Sequence, residues 1–237
     1  MKWQDYGKTL KDVLQLEGSP VAVTYTDEPA ANGSSKGYAV CGAIAAAKNG
    51  EIINLNAANC TCPGGSGHIG LAPRSPETFT KLKKFLVEGE KLRGTYAAFW
   101  RSGNLSSSHP PLGLGQYVVF APLEKAALKP DLVLFIVNAA TASRLLELAN
   151  YEPGTPIRVE LTGSTCATAI TIPLATGRIN LSLIDTSSRK LVPEFKAEDL
   201  IFTVPYFRLH LLVESIPYCT AGTAEMGMGF DEVMKQP

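Results

Sequence analysis

The 237-residue chain lacks an excess of charge of either sign, with 22 Lys and Arg set against 22 Asp and Glu. Without a basic field it has no means of gathering nucleic acid or anionic lipid, so neither is expected as a partner. Long apolar runs are also missing. The longest, Leu132 to Val137, is the length of a strand, and no membrane span is expected. The first residues, MKWQDYGKTLKDVLQLEG, are charged every few positions and lack the apolar centre of a signal peptide, which predicts a cytoplasmic protein. Histidine is scarce, at three, and none is spaced with a cysteine pair as in a zinc motif. His68 alone lies near the cysteines; His109 and His210 read as structural. No ferredoxin spacing occurs. Ser106 to Ser108 form no nucleophile elbow, and Gly64-Gly65-Ser66-Gly67 lacks the Lys-Ser/Thr ending of a phosphate loop. Nucleotide hydrolysis is set aside. Five cysteines, an odd number in a reducing compartment, argue against a disulfide framework and leave metal binding, catalysis and burial open.

The elements that are present alternate. Leu10, Val13 and Leu14 recur at helical spacing up to Gly18, and Val21 to Thr26 reads as a strand. A Pro, Gly and Ser loop fills Asp27 to Gly37. A small-residue helix over Ala43 to Lys48 ends at Asn49-Gly50, and a short strand runs from Ile52 to Leu55. Ser75 and Pro76 open an amphipathic helix whose apolar face is Phe79, Leu82, Phe85 and Leu86. Strands are predicted at Thr95 to Trp100, Tyr117 to Ala121, Leu132 to Val137, Pro156 to Thr162 and Leu200 to Val204. Arg101 to Gly115 reads as a long loop or lid. Asn138 to Thr141 cap a helix over Ala142 to Ala149. A last helix, Tyr206 to Ile216, should turn Phe207, Leu211, Leu212 and Ile216 inward. This pattern predicts an α/β or α+β fold, a mixed sheet with helices, in one intertwined domain spanning residues 1–237.

Within it the chain reads as beginning again. Residues 8–71 and 140–190 share the order helix, strand, Cys, helix, Gly, strand, with Cys41, Gly50 and Ile53-Asn54-Leu55 matching Cys166, Gly177 and Ile179-Asn180-Leu181. A duplication of this kind would pack about a pseudo-twofold axis and bring Cys41 towards Cys166.

The chemistry is concentrated in Tyr38 to Leu71 and its weaker copy after Thr165. Cys41, Cys62 and Cys166 each stand ahead of a helix, where unsatisfied N–H groups favour thiolate over thiol. A thiolate is both a nucleophile and a soft metal ligand. Gly64 and Gly65 let backbone amides converge on an anion or on cluster sulfides. Arg189 and Lys190 offer an anion patch, read equally well as a solvated turn. Cys60 is either a spare ligand or a bystander, and Cys219 is read as core.

With these residues in view, the chain resembles the archaeal and bacterial family called domain of unknown function 169. The similarity rests on Pro20-Val-Ala-Val23, Cys41, Cys62 with its glycines, Gly70-Leu71, Phe120-Ala-Pro-Leu-Glu124, Pro130-Asp131, Cys166, Ser182-Leu183 and Ser188-Arg-Lys190. Many members of that family carry a further Cys shortly after the Ser-Leu pair. This chain has Ile184-Asp185 there, so the resemblance implies either Asp185 as a fourth ligand or an open iron. It implies a shared fold and a cysteine-lined site, and no reaction.

The leading expectation is a [4Fe-4S] cluster held by Cys41, Cys62 and Cys166, with Cys60 and Asp185 as candidate further ligands and Gly64, Gly65 and Arg189 contacting the cofactor. An open iron would serve as a Lewis acid or sulfur acceptor on a small molecule; four ligands would serve electron transfer to a redox partner. The alternatives are a metal-free enzyme in which Cys62 attacks and Cys41 or Cys166 resolves, and a non-catalytic small-molecule or partner-binding protein, in either case open to homo-oligomerisation.

Overall fold

Six segments, most of them rich in β-branched and aromatic residues, pair into one sheet in the computed structural model, which describes residues 2–72, 75–104 and 114–235. They are β1 (Val21–Thr26), β2 (Ile53–Leu55), β3 (Tyr117–Pro122), β4 (Leu132–Val137), β5 (Asn180–Leu183) and β6 (Leu200–Pro205), in the order β2-β3-β1-β4-β6-β5. Every ladder between them is antiparallel, which makes the fold α+β. Two single parallel bridges, Ser34 to Ile53 and Tyr38 to Cys60, lie outside the strands.

Alternation along the strands sends apolar side chains to both faces, and each face has its own core. One face presents Val21, Val23, Ile53, Phe120, Leu132 and Leu134. It is covered by α2 (Val40–Lys48), α3 (Pro63–His68), a helical run from Thr165 that passes through a wider turn at Ala167–Thr171 into α7 (Ile172–Thr176), and α8 (Thr186–Leu191). The other face presents Ala22, Ala121, Val133, Phe135, Phe202 and Val204 beneath α1 (Trp3–Leu14), α6 (Ala139–Asn150) and α9 (Tyr206–Ser215). Burying Phe120 in one core and Phe135 in the other contributes about 1.5–3 kcal/mol each. Alanines at 43 and 47 let α2 lie close on the sheet, and Asn138 accepts the Thr141 amide at 2.9 Å to start α6. Gly177, at φ +63°, closes α7 in a conformation that costs other residues strain.

Between β2 and β3 the chain makes a peripheral helical hairpin. Its arms are α4 (Pro76–Lys84), continuing in a wider turn through Phe85–Gly89, and α5 (Tyr96–Asn104). A short α10 (Phe230–Val233) lies near the C-terminus. Among the described residues no helix is long and apolar enough to cross a membrane.

Several expectations give way. Thr95 to Trp100 begins a helix, because the Thr95 hydroxyl accepts the Ala98 amide at 3.0 Å and Phe99 packs on Phe79. Pro156 to Thr162 forms no strand; its Glu160 backbone is bonded to the Asn180 side chain instead of a neighbouring backbone. Phe207 faces outward, 59 % exposed, and Leu209, Leu212, Val213 and Ile216 fill the core. The Arg101 to Gly115 loop begins with the end of α5, and residues 105–113 lie outside the described residues.

The proposed repeat alignment also shifts. Ile53 and Leu55 point to one core while Ile179 and Leu181 point to the other, so the matched Ile-Asn-Leu triplets sit one residue out of phase. The strand order nevertheless reads alike from both edges when β1, β2 and β3 are set against β4, β5 and β6. That is an equivalence of topology; the internal duplication is not confirmed.

Candidate functional site

Cys41, Cys62 and Cys166 come together on the first face of the sheet through separate local devices. Cys41 lies in the first turn of α2, inside the helix and not ahead of it as the sequence predicts. The bridge between Tyr38 and Cys60, with the Thr61 amide donating to Tyr38 O at 3.0 Å, lays the Cys60 to Cys62 strip beside that turn. Cys62 is the N-cap of α3, where Pro63 opens the helix and the Gly65 amide donates to Cys62 Sγ at 3.3 Å. Cys166 is in the first turn of the run leading to α7, whose Thr171 hydroxyl donates to His68 O at 2.6 Å and ties that helix to the end of α3.

Gly65 marks the centre. A Cβ placed on it would lie 3.4 Å from Cys62 Sγ and 3.5 Å from Cys166 Sγ, so only a hydrogen separates the glycine from two sulfurs. Gly65 therefore lines the site through its missing side chain, and its amide is given to a sulfur and not to an external anion. Gly64 lies against Leu82 of α4. All five cysteines are free thiols; Cys41 and Cys166 are buried, Cys60 and Cys62 half-buried, and Cys219 is buried in the other core, as expected.

Burial decides the electrostatics. It pushes the Cys166 thiol well above its ordinary value, and the neighbouring Cys41, Cys62, Asp185 and Cys60 add repulsion in the same direction. Burial also raises Cys41, against a partial offset from the Ser188 hydroxyl, and raises Cys60. The expectation that helix N-termini make Cys41 and Cys166 thiolates is thus overturned: desolvation outweighs the helix ends. Beside Cys60, the Ser66 hydroxyl is buried without a hydrogen bond of normal geometry.

Asp185 and Arg189 have work of their own. Asp185 Oδ2 accepts from the Thr165 amide at 2.8 Å, the Thr165 hydroxyl at 2.6 Å and the Ser188 hydroxyl at 3.0 Å, and Oδ1 accepts the Ser188 amide at 2.7 Å. Its own amide donates back to Thr165 Oγ1 at 2.9 Å. Both oxygens are engaged, which argues against Asp185 as a fourth ligand. One carboxylate instead fixes the residue before Cys166 and, through Ser188, the environment of Cys41. Arg189 spends its guanidinium on the backbone carbonyls of Ile184 at 3.1 Å, Asp199 at 2.6 Å, and Lys196. It braces the turn between α8 and β6 and offers no anion site. Among the described residues, no group of three or more His, Cys, Asp or Glu side chains is arranged to hold a metal ion.

Thr165, Ser188 and the wedge at Gly65 are the parts that sequence reasoning missed. Asp185 followed by Ser188 is a helix-start spacing and was a usable signal; the Gly65 contact was not, because it depends on α3 and α7 meeting.

These features define an α+β protein with a single antiparallel sheet and a buried cluster of cysteines on one face. A family model for domain of unknown function 169, described as "Uncharacterised ArCR", matches residues 9–215, and the chain belongs to that family. No curated protein and no solved structure matches it.

Proposed function

We propose that the protein binds an iron–sulfur cluster, of the [4Fe-4S] type, through Cys41, Cys62 and Cys166, with Cys60 as the nearest candidate for a further ligand. The observation that carries this reading is the meeting of thiols from segments far apart in sequence, with Cys62 and Cys166 both against Gly65 and Cys41 near enough to raise Cys166; taking up a cluster would require the sulfurs to spread, since as they stand they form no metal-binding group among the described residues. The donor set is soft and sulfur-only, which suits iron–sulfur ligation better than a hard cation. The buried Ser66 hydroxyl beside Cys60 adds one polar group to a sulfur-lined site. A cluster bound there would supply electron transfer, or Lewis acidity at an iron left open.

The chain's own residues do the rest. Asp185, Thr165 and Ser188 orient Cys41 and Cys166, and burial excludes water from both thiols. Ligation requires those thiols to lose protons that burial holds in place, so binding strengthens as pH rises. A small-molecule substrate or redox partner and a cytoplasmic location belong to the same reading. Anaerobic purification with iron and sulfide determination and a visible spectrum tests it. The expected result is a broad visible absorbance with matching iron and sulfide; protein that takes up neither on reconstitution overturns it.

One observation favours a second reading, a thiol enzyme without metal. Cys62 is half-buried and receives the Gly65 amide, as a nucleophilic cysteine at a helix start does. Rapid alkylation of Cys62 near neutral pH in metal-free protein is its signature, and uniformly slow labelling excludes it.

A further inference from the structure

The α4–α5 hairpin packs largely on itself. No residue of α4 is buried, and its apolar side chains turn inward on the hairpin itself, with the Phe79 ring 5.2 Å from Phe99 and 4.8 Å from Trp100. Among the described residues its attachments are few. Leu82 rests on Gly64 of α3, two residues from Cys62. The Glu90 carboxylate accepts the Ser187 hydroxyl of α8 at 2.8 and 2.7 Å, next to the Ser188 that serves Cys41. Arg93 Nη2 donates to Thr162 O at 2.8 Å, just ahead of the Cys166 helix. The hairpin therefore touches α3, which Cys62 caps, α8, whose Ser188 serves Cys41, and the segment leading into the helical run that carries Cys166.

A unit packed on itself and joined to the body by a handful of polar contacts opens at low cost, as lids over functional sites do. We propose that residues 75–104 form a cover over the cysteine site, latched by Glu90 on Ser187, and that release of this latch admits a small thiol-seeking ligand to Cys60 and Cys62. The proposal rests on the cysteine cluster being the functional site, but not on iron occupying it.

Iodoacetamide labelling of reduced, metal-free protein, resolved by peptide mass spectrometry, tests it without reference to any cluster. Ser187→Ala and Glu90→Gln each weaken the latch from opposite sides on half-exposed residues. Labelling of Cys60 and Cys62 should rise by about tenfold, the scale of one lost charge-assisted hydrogen bond. The double variant should gain no more than the stronger single one, because both cut the same link. Cys219, in the core beneath α9, should label at its wild-type rate. Unchanged labelling of Cys60 and Cys62 in both single variants overturns the proposal, and so does an equal acceleration at Cys219, which would mean general loosening. Failure to take up iron while the latch variants still accelerate labelling would count against the cluster and leave the cover standing.

Discussion

Cys62 and Asp185 hold the same post in the two halves of the sheet: each is the N-cap of a short helix and each accepts the backbone amide three residues on, Gly65 to sulfur at 3.3 Å and Ser188 to oxygen at 2.7 Å. The two differ in what else they hold. Cys62 leaves its sulfur facing the other thiols, whereas Asp185 is bound by Thr165 and Ser188 and stabilises the helix starts around it. The asymmetry places most of the clustered sulfurs on one side and their support on the other.

Gly65→Ala should be destabilising although alanine favours helix. The new methyl would sit 2.9 Å from Val40 Cγ2, a fully buried side chain, and against both sulfurs. Overpacking costs about 1–3 kcal/mol against a helix gain of up to about 1 kcal/mol, so a net loss of about 1–2 kcal/mol is expected. Urea denaturation measures it, and iron uptake should fall further than the loss of folded protein explains.

Asp185 controls the acid limb of stability. Burial pushes its carboxyl up, but the combined hydrogen bonds from Thr165 and Ser188 outweigh that and leave it below the ordinary aspartate value. The folded carboxylate thus binds its proton more weakly than the unfolded one. Its contribution is full above the ordinary aspartate range and drains away as pH falls through the lowered folded value. Asp185→Asn should lose stability at neutral pH and show a flatter decline below about pH 4 in denaturation profiles.

The thiols act at the opposite end. Cys166 in the metal-free protein keeps its proton more tightly than in the unfolded chain, so stability is complete below the ordinary value of 9.0 and falls as pH rises past it. Cys166→Ser should remove much of this alkaline decline, read by thermal unfolding in reductant between pH 7 and 10.

Arg189→Lys separates bracing from ligand binding. A lysine cannot reach three carbonyls at once, and a loss of about 1–3 kcal/mol is expected in urea denaturation. Iron bound per folded molecule should match wild type; a selective loss of iron would restore Arg189 to the site.

The strands were legible where their residues declared them. Val21 to Thr26 and the unbroken apolar Leu132 to Val137 are β1 and β4, and the Asn138 cap and Ser75-Pro76 start lie where the sequence predicts. Thr95 to Trp100 misled because its aromatic content suits a strand, while the Thr95 cap and contact with Phe79 make it helical. The meeting of Cys41, Cys62 and Cys166 was foreseeable from helix starts and the repeated Cys. The protonation of Cys41 and Cys166 was not, since it depends on burial that spacing does not encode. The roles of Asp185 and Arg189 were hidden for the same reason: a charged side chain in a sequence does not say whether its partners are backbone groups or a ligand.

The most direct test compares Cys166→Ser with Cys219→Ser after anaerobic reconstitution with iron and sulfide. The account predicts that the first variant loses most of the visible absorbance and bound iron while remaining folded, and that the second keeps both. Full absorbance in Cys166→Ser, or equal loss in both variants, would contradict a cluster held where Cys41, Cys62 and Cys166 meet.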